Sequence, residues 1–259
     1  MITIQNIKTY GWEAAIRGMR NPMNSWDQSD SRFEKIQEDP AITQVEYFGI
    51  YAFTIGNNDR RLMHQLVAAG TDHSKFMRQI GVSMDITAPL YWWKEFDTYK
   101  VGTTANSCST MHKIAEKEFT LDDFSHEHLL STAKKNLVST IDILNGYRDQ
   151  YNVDTNPEVK KNYWWQMIQL LPSSYNQKRT VTLNYAVLRN QYHARRRHKL
   201  DEWQEYCYLL EDFPCAELIT MCHIQELNSW KKTTINTDAM FSIAKKVITR
   251  KNSEENNNE

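Results

Sequence analysis

The run LNYAVLRNQYHARRRHKLDEWQEYCYLLED, residues 183–212, contains neither Gly nor Pro and reads as one long helix. At about 100° per residue, Asn184, Leu188, Gln191, Arg195 and the pair His198/Lys199 fall near one face. Asn184 and Arg195 are then roughly 16 Å apart along a single stripe, the length of an extended ligand such as a nucleotide. Asn190 projects from another side, toward a second partner or subunit. The alternative is a solvated polar stripe on a surface helix. The basic run Arg195-Arg196-Arg197-His198-Lys199 can touch phosphate, or it can be answered by Asp201 and Glu202 nearby.

Upstream of this run the chain mixes helix with short strands. Residues 2–7 are β-branched and alternating, and Gly11 ends that strand. A helix starts at Trp12 and stops near Asn21-Pro22. Residues 24–32 are polar and loop-like. Residues 45–55 are aromatic and β-rich up to the turn Gly56-Asn57-Asn58-Asp59, where Asp59 is expected to cap a helix over 60–69 that Gly70 ends. Residues 76–90 predict a strand interrupted by Pro89, with a short helix from Trp92. Residues 101–111 form a small-residue polar loop. Helices are expected over 121–145 and 158–170, the second ended by Pro172, with a polar connector over 173–179. The polar tail 251–259 is expected to be disordered. Without repeats or a Gly/Ser/Pro linker, residues 1–250 read as one α+β domain: a β-sheet flanked by helices, with a long C-terminal helix.

The chain has 259 residues and a formal net charge of -1, so no global basic field exists to hold nucleic acid or a membrane surface. With hydrophobic residues at 41% and charged residues at 24%, a buried core is expected and wholesale disorder is excluded. Only 8 Gly and 6 Pro argue against a Gly-rich dinucleotide fold and against an all-β array of tight turns. The 8 Trp and 13 Tyr supply stacking surfaces as well as core filling. Cys108, Cys207, Cys215 and Cys222 make no CxxC pair and fit no common zinc spacing. With no secretory leader pattern and no membrane-spanning apolar run, the expectation is a cytoplasmic protein with reduced thiols and no metal.

Several smaller constellations carry chemistry. The loop Gly102-Thr103-Thr104-Ala105-Asn106-Ser107-Cys108-Ser109-Thr110 concentrates hydroxyls, an amide and backbone N–H groups, which either cradle a phosphate or form a plain loop. Cys108 has no partner base nearby in sequence to activate it. His126 and His128, beside Asp122 and Asp123, are either metal ligands or surface residues. Trp92-Trp93 and Trp164-Trp165 either stack a flavin or base, or fill core.

Taken together, these segments resemble the flavin-dependent thymidylate synthases (the ThyX family). The early R-A-A-R-x-S helix is matched by Arg17-Gly18-Met19-Arg20-Asn21-Pro22. His73 leads into Ala88-Pro89, and the R-Q-x-x-R-H-R-x-x-S-x-N-E-x-S-x-R signature falls, without a gap, on Lys94-Glu95-Phe96-Asp97-Thr98-Tyr99-Lys100 and onward to Thr110. Near the C-terminus the family's spacing of L-P, two Asn, an Arg and A-Q-x-E falls on Leu171-Pro172, Asn184, Asn190, Arg195 and Asp201-Glu202. The likeness covers roughly residues 1–215. The departures are that R-H-R becomes Thr98-Tyr99-Lys100, the signature Ser becomes Thr103, N-E becomes Ala105-Asn106, the final Ser and Arg become Cys108 and Thr110, and a phosphate-binding Arg becomes Ile168.

The resemblance implies a homotetramer with active sites at subunit interfaces, FAD as cofactor, and reductive methylation of dUMP to dTMP with methylene-tetrahydrofolate and NADPH as co-substrates. It implies Arg195 as the catalytic residue, helping to ionise N3 of the pyrimidine. By the same resemblance Glu95, Thr98, Asn106, Ser107, Cys108, Ser109, Thr110 and Arg195 bind substrate. Lys75, Arg78, Tyr99, Lys100, Val101, Asn184 and Asn190 bind the flavin. The lost Arg forks weaken the phosphate end. They leave two alternatives open: a flavoenzyme of this fold acting on a different pyrimidine nucleotide, or a non-catalytic binding protein.

Overall fold

The computed structural model describes residues 2–35, 51–221 and 233–235. In chain order the elements are β1 (Thr3–Tyr10), α1 (Trp12–Arg20), β2 (Arg32–Lys35), β3 (Tyr51–Ile55), α2 (Asn57–Ala68), β4 (Gly81–Pro89), α3 (Leu90–Phe96), β5 (Thr104–Ser107), α4 (Thr110–Lys113), α5 (Ser131–Val153), α6 (Pro157–Leu170), β6 (Asn176–Asn184), α7 (Tyr185–Arg195), α8 (Asp201–Leu210), α9 (Glu217–Thr220) and β7 (Thr233–Ile235). They make one antiparallel sheet in the order β1-β4-β6-β5 and a second in the order β2-β3-β7.

The inward phase of the first sheet follows from sequence. On β4, Val82, Met84, Ile86 and Ala88 are buried, while Ser83, Asp85 and Thr87 lie on the half-open face. On β1 the buried residues are Ile4, Ile7 and Thr9, the first two three apart rather than two. A bulge at Asn6, with φ +53°, absorbs the extra residue, and the β1–β4 register shifts between Gln5 and Lys8. Gly11 follows with φ +84°, and a Cβ there would sit 2.2 Å from the Gln79 carbonyl oxygen, so only glycine makes this turn into α1.

The single long helix over 183–212 is not formed. Residues 176–184 are the strand β6, whose Gln177, Val181 and Leu183 face inward while Lys178, Thr180 and Thr182 face out. Asn184 then N-caps α7, its side chain accepting from the Val187 N–H at 3.1 Å. The helix stops at Arg195 and a new one starts at Asp201. Continuing through Arg195, Arg196, Arg197 and Lys199 would stack like charges at i,i+3 and i,i+4 spacing. Breaking there places cations at the C-terminus of α7 and Asp201 and Glu202 in the first turn of α8, each on its favourable dipole end.

Other boundaries shift. Residues 75–78 form a 3-10 turn before β4, and 121–123 another before α5 starts at Ser131. Part of the polar loop 101–111 pairs with β6 as β5, and the connector 173–179 runs into β6. Asp59 is not the cap of α2 but lies in its first turn, fully buried; the Asp30 carboxylate instead accepts from the Asn58 and Asp59 N–H groups. Asp59 accepts from Arg20 Nε at 2.6 Å, from the hydroxyls of Ser29 and Ser31, and from the Asp30 and Ser31 N–H groups. This ties α1, the 24–31 loop and α2 together. The residues expected as strand over 45–50 and as tail over 251–259 lie outside the described residues.

One core joins the sheet to α1, α2, α3, α7 and α8, and includes Trp92, Trp93, Phe96, Trp203 and Tyr206 as an aromatic stack. Trp92 and Trp93 are therefore core residues. A second, smaller core under α5 and α6 holds Phe119, Phe124, Leu137, Ile141, Leu144 and Met167. Among the described residues no helix is long and apolar enough to cross a membrane.

Candidate functional site

A cleft of about 580 Å³ runs along α7 from its Asn184 cap. Its walls come from α2 and the turn after it (Val67, Gly70, Thr71, Ser74), the 3-10 turn (Met77, Arg78), the loop Val101-Gly102, α7 and its cap (Asn184, Ala186, Val187, Arg189, Asn190, His193), and Met221. Four of the residues expected to hold a flavin, Arg78, Val101, Asn184 and Asn190, meet here from three separate elements. Gly102 has φ +75°, and a Cβ on it would lie 2.8 Å from Asn184 Nδ2, so the loop backbone lies directly against the α7 cap. Arg78 is exposed and makes no ion pair among the described residues. Arg189 donates to the carbonyls of Leu218 and Ile219. The Thr103 hydroxyl, next to the cleft loop, is buried without a hydrogen-bond partner.

Arg195 lies elsewhere. At 100° per residue it is about 140–160° around α7 from Asn190 and His193, which line the cleft. Its Nη1 donates to Glu95 Oε2 at 2.7 Å and its Nε to the Tyr99 hydroxyl at 3.0 Å, with the guanidinium carbon 5.0 Å from the Trp203 ring centroid. Glu95 Oε2 also accepts from Trp203 Nε1 at 2.9 Å, and His198 Nε2 lies 3.3 Å away. This polar corner sits between α3, α7 and α8. One turn back on α3, Tyr91 donates to Glu202; burial, reinforced by that carboxylate, pushes the phenol far above its ordinary value and keeps it a neutral donor.

The stripe Asn184–Leu188–Gln191–Arg195 is thus not a ligand-binding face. Leu188 and Gln191 are fully buried, and the Gln191 carbonyl accepts from the Tyr206 hydroxyl at 2.7 Å. The two ends of the stripe serve different places, and Asn190 belongs with Asn184 rather than facing away from it.

The remaining expected residues are scattered. Lys75 and Lys100 are exposed and do not line the cleft; Tyr99 belongs to the Arg195 corner. Thr98 turns its hydroxyl back to the Glu95 carbonyl at 2.7 Å. Asn106 and Ser107 lie on β5, the sheet's edge strand, with Cys108 just beyond, its N–H bonded to the Lys178 carbonyl at 2.9 Å. Ser109 caps α4, accepting from the His112 N–H, and Thr110 begins that helix. None of residues 106–110 lines the cleft or bonds Arg195. His126 bonds the Phe124 carbonyl and His128 pairs with Asp201. Among the described residues no group of three or more His, Cys, Asp or Glu side chains is placed to hold a metal ion.

Sequence reading missed Arg189 and His193 as cleft residues, and His198 and Trp203 as partners of Glu95; it had Gly102 only as the head of a loop that either cradles a phosphate or is plain. Gly102 carried the clearest signal, a lone glycine heading a polar loop.

No family model and no curated protein matches the chain. Solved structures do. A thymidylate synthase X from Helicobacter pylori, crystallised with FAD and dUMP, superposes with a TM-score of 0.54 at 15% identity, over 85% of this chain and 95% of its own. A second structure of the flavin-dependent thymidylate synthase from the same organism, also with FAD and dUMP, gives 0.54 at 16% identity, over 85% and 96%. A UMP/dUMP methylase, PolB, from Streptomyces cacaoi gives 0.46 at 11%, over 73% and 75%, and adds nothing to the assignment. The chain therefore has the fold of the flavin-dependent thymidylate synthases, a mixed helix-and-sheet fold matched over nearly the whole length of those enzymes.

Proposed function

We propose that this chain is a flavin-dependent enzyme acting on a pyrimidine nucleotide, of the thymidylate synthase type. The reaction in this reading is reductive methylation of dUMP to dTMP, with methylene-tetrahydrofolate as carbon donor and NADPH as reductant. The observation that carries it is the convergence of Arg78, Val101, Asn184 and Asn190 on one cleft of about 580 Å³, at the positions the family resemblance assigns to the flavin.

The cleft chemistry suits FAD. The exposed amide of Asn190 offers a donor and an acceptor to the ring edge, the half-buried Asn184, whose Oδ1 caps α7, offers its Nδ2, Arg78 offers a cation to the pyrophosphate, and the Gly102 backbone allows close approach. When bound, FAD would supply the redox chemistry, while these residues orient it and exclude water. The pyrimidine is assigned to the corner of Glu95, Tyr99 and Arg195. Because cleft and corner lie on different sides of α7, one complete site would be assembled from more than one copy of the chain, in line with the expected homotetramer.

A second reading, a flavoenzyme of the same fold acting on a different pyrimidine nucleotide, is favoured by the replaced phosphate cations at Thr98, Thr110 and Ile168. Purified protein that takes up FAD and rescues a thymidine-requiring strain supports the first reading; FAD uptake without rescue supports the second. Protein that takes up no FAD overturns both.

A further inference from the structure

We propose that Glu95 and Arg195 act as one unit that reads the neutral edge of a pyrimidine, an N–H beside an acceptor atom, and holds ring atom N3 uncharged. This rests on the reading above that the chain takes a pyrimidine nucleotide at this corner, and makes Glu95 a specificity-determining residue there.

The pair is built, not incidental. Glu95 Oε2 is saturated by Arg195 Nη1 at 2.7 Å and Trp203 Nε1 at 2.9 Å, with His198 Nε2 at 3.3 Å. Arg195 Nε is committed to the Tyr99 hydroxyl at 3.0 Å. That leaves Glu95 Oε1 and Arg195 Nη2 without a hydrogen bond to any described residue, and neither is a buried atom. The Trp203 and Tyr99 rings flank the guanidinium and fix its plane. The corner therefore presents one carboxylate acceptor beside one guanidinium donor, held in register from three sides.

A fork of this kind is complementary to an N–H next to an acceptor: N3–H with a ring carbonyl in uracil, or the amino group with N3 in cytosine. It is not complementary to a uracil ionised at N3. That anion would set a negative nitrogen against the Glu95 carboxylate, and the one charge that could stabilise it is already neutralised by the same carboxylate. A lone Arg195 would favour the anion, the role the family resemblance implies for it; paired with Glu95 it favours the neutral ring, and this chain departs from that expectation. The change in charge preference comes entirely from the residue at position 95.

The test measures binding to the purified full-length chain with FAD present, across a pH series, for dUMP, dCMP and 5-fluoro-dUMP, whose electron-withdrawing fluorine makes N3 ionise at lower pH. The titratable groups in contact with the pair are Tyr99 from the loop after α3 and His198 from the α7–α8 connection, while Tyr91 and Glu202 bond each other one turn back on α3. All are common to the three ligands, so the difference between 5-fluoro-dUMP and dUMP over one pH window isolates ionisation of the ring. The expected result is that 5-fluoro-dUMP loses affinity about tenfold per pH unit once its N3 ionises, while dUMP holds steady. Glu95→Gln should abolish that loss, and a preference between dCMP and dUMP identifies which neutral ring the fork takes. Affinity for 5-fluoro-dUMP that stays level or rises on ionisation overturns the inference and leaves the functional reading standing. Failure of all three nucleotides to bind at every pH overturns that reading, and this inference with it.

Discussion

Replacing Gly102 with Ala tests whether the cleft loop and the α7 cap are one structural unit. At φ +75° an Ala costs about 1 kcal/mol of backbone strain. Its Cβ would also stand 2.8 Å from Asn184 Nδ2, so the amide must move away. The same amide group caps α7 through its Oδ1, and losing that bond costs about another 1 kcal/mol. Gly102→Ala should therefore destabilise the chain by about 2 kcal/mol, lowering Tm by about 4–8 °C. Asn184→Ala alone should cost about 1 kcal/mol. In that background the collision is gone, and Gly102→Ala should cost only about 1 kcal/mol more. The coupling in the double-mutant cycle is then about 1 kcal/mol, well outside the scatter of independent sites. Urea unfolding of the four proteins measures it. Additive costs, or a Gly102→Ala effect below about 0.5 kcal/mol, would refute the reasoning.

Three further outcomes follow from the geometry. Asp59→Ala leaves Arg20 buried without its partner and frees four other donors, so unfolding in urea should show a loss of about 3–5 kcal/mol; a loss under about 1 kcal/mol would contradict the pair's structural role. Arg195→Ala should abolish turnover while costing about 1 kcal/mol or less in stability, because the Glu95 pair is partly solvated; normal turnover in this variant would remove the base from this corner. Burial alone would raise the Glu217 carboxyl, but the His64 ring 3.7 Å away, its own backbone N–H and the Arg60 guanidinium together hold it below its ordinary value. Its contribution to stability is therefore present above about pH 4.5 and lost as pH falls through its depressed folded value. Arg60→Met should flatten that acid limb in urea titrations, and an unchanged limb would place the acid sensitivity elsewhere.

The sequence disclosed the elements whose local chemistry was unambiguous. Alternating β-branched residues, then Gly11, then an amphipathic run gave β1 and α1, and Pro89 marked the change from β4 to α3. The strand β6 was hidden because Lys178, Thr180 and Thr182 occupy its outer face and only Val181 and Leu183 supply an apolar phase, too little to separate it from a polar helix start. Its clearest boundary signal was Asn184, a residue suited to a helix cap. The break after Arg195 carried no Gly or Pro; the signal was the crowding of Arg195, Arg196, Arg197 and Lys199, whose like charges oppose a continued helix. β5 was read as loop because all four of its residues are exposed and show no alternation. For the site, four residues that the family spacing assigned to the flavin, Arg78, Val101, Asn184 and Asn190, line one cleft. It could not reveal that Arg195 faces away from them, because the helical stripe that linked Asn184 to Arg195 passes through the core at Leu188 and Gln191.

The most direct test of the account is a visible absorption spectrum of the purified chain, taken after incubation with FAD and removal of free flavin. The account predicts bound flavin at about one per chain, reduced sharply by Asn190→Ala combined with Arg78→Ala. A colourless protein that leaves the fluorescence of added FAD unchanged would contradict it.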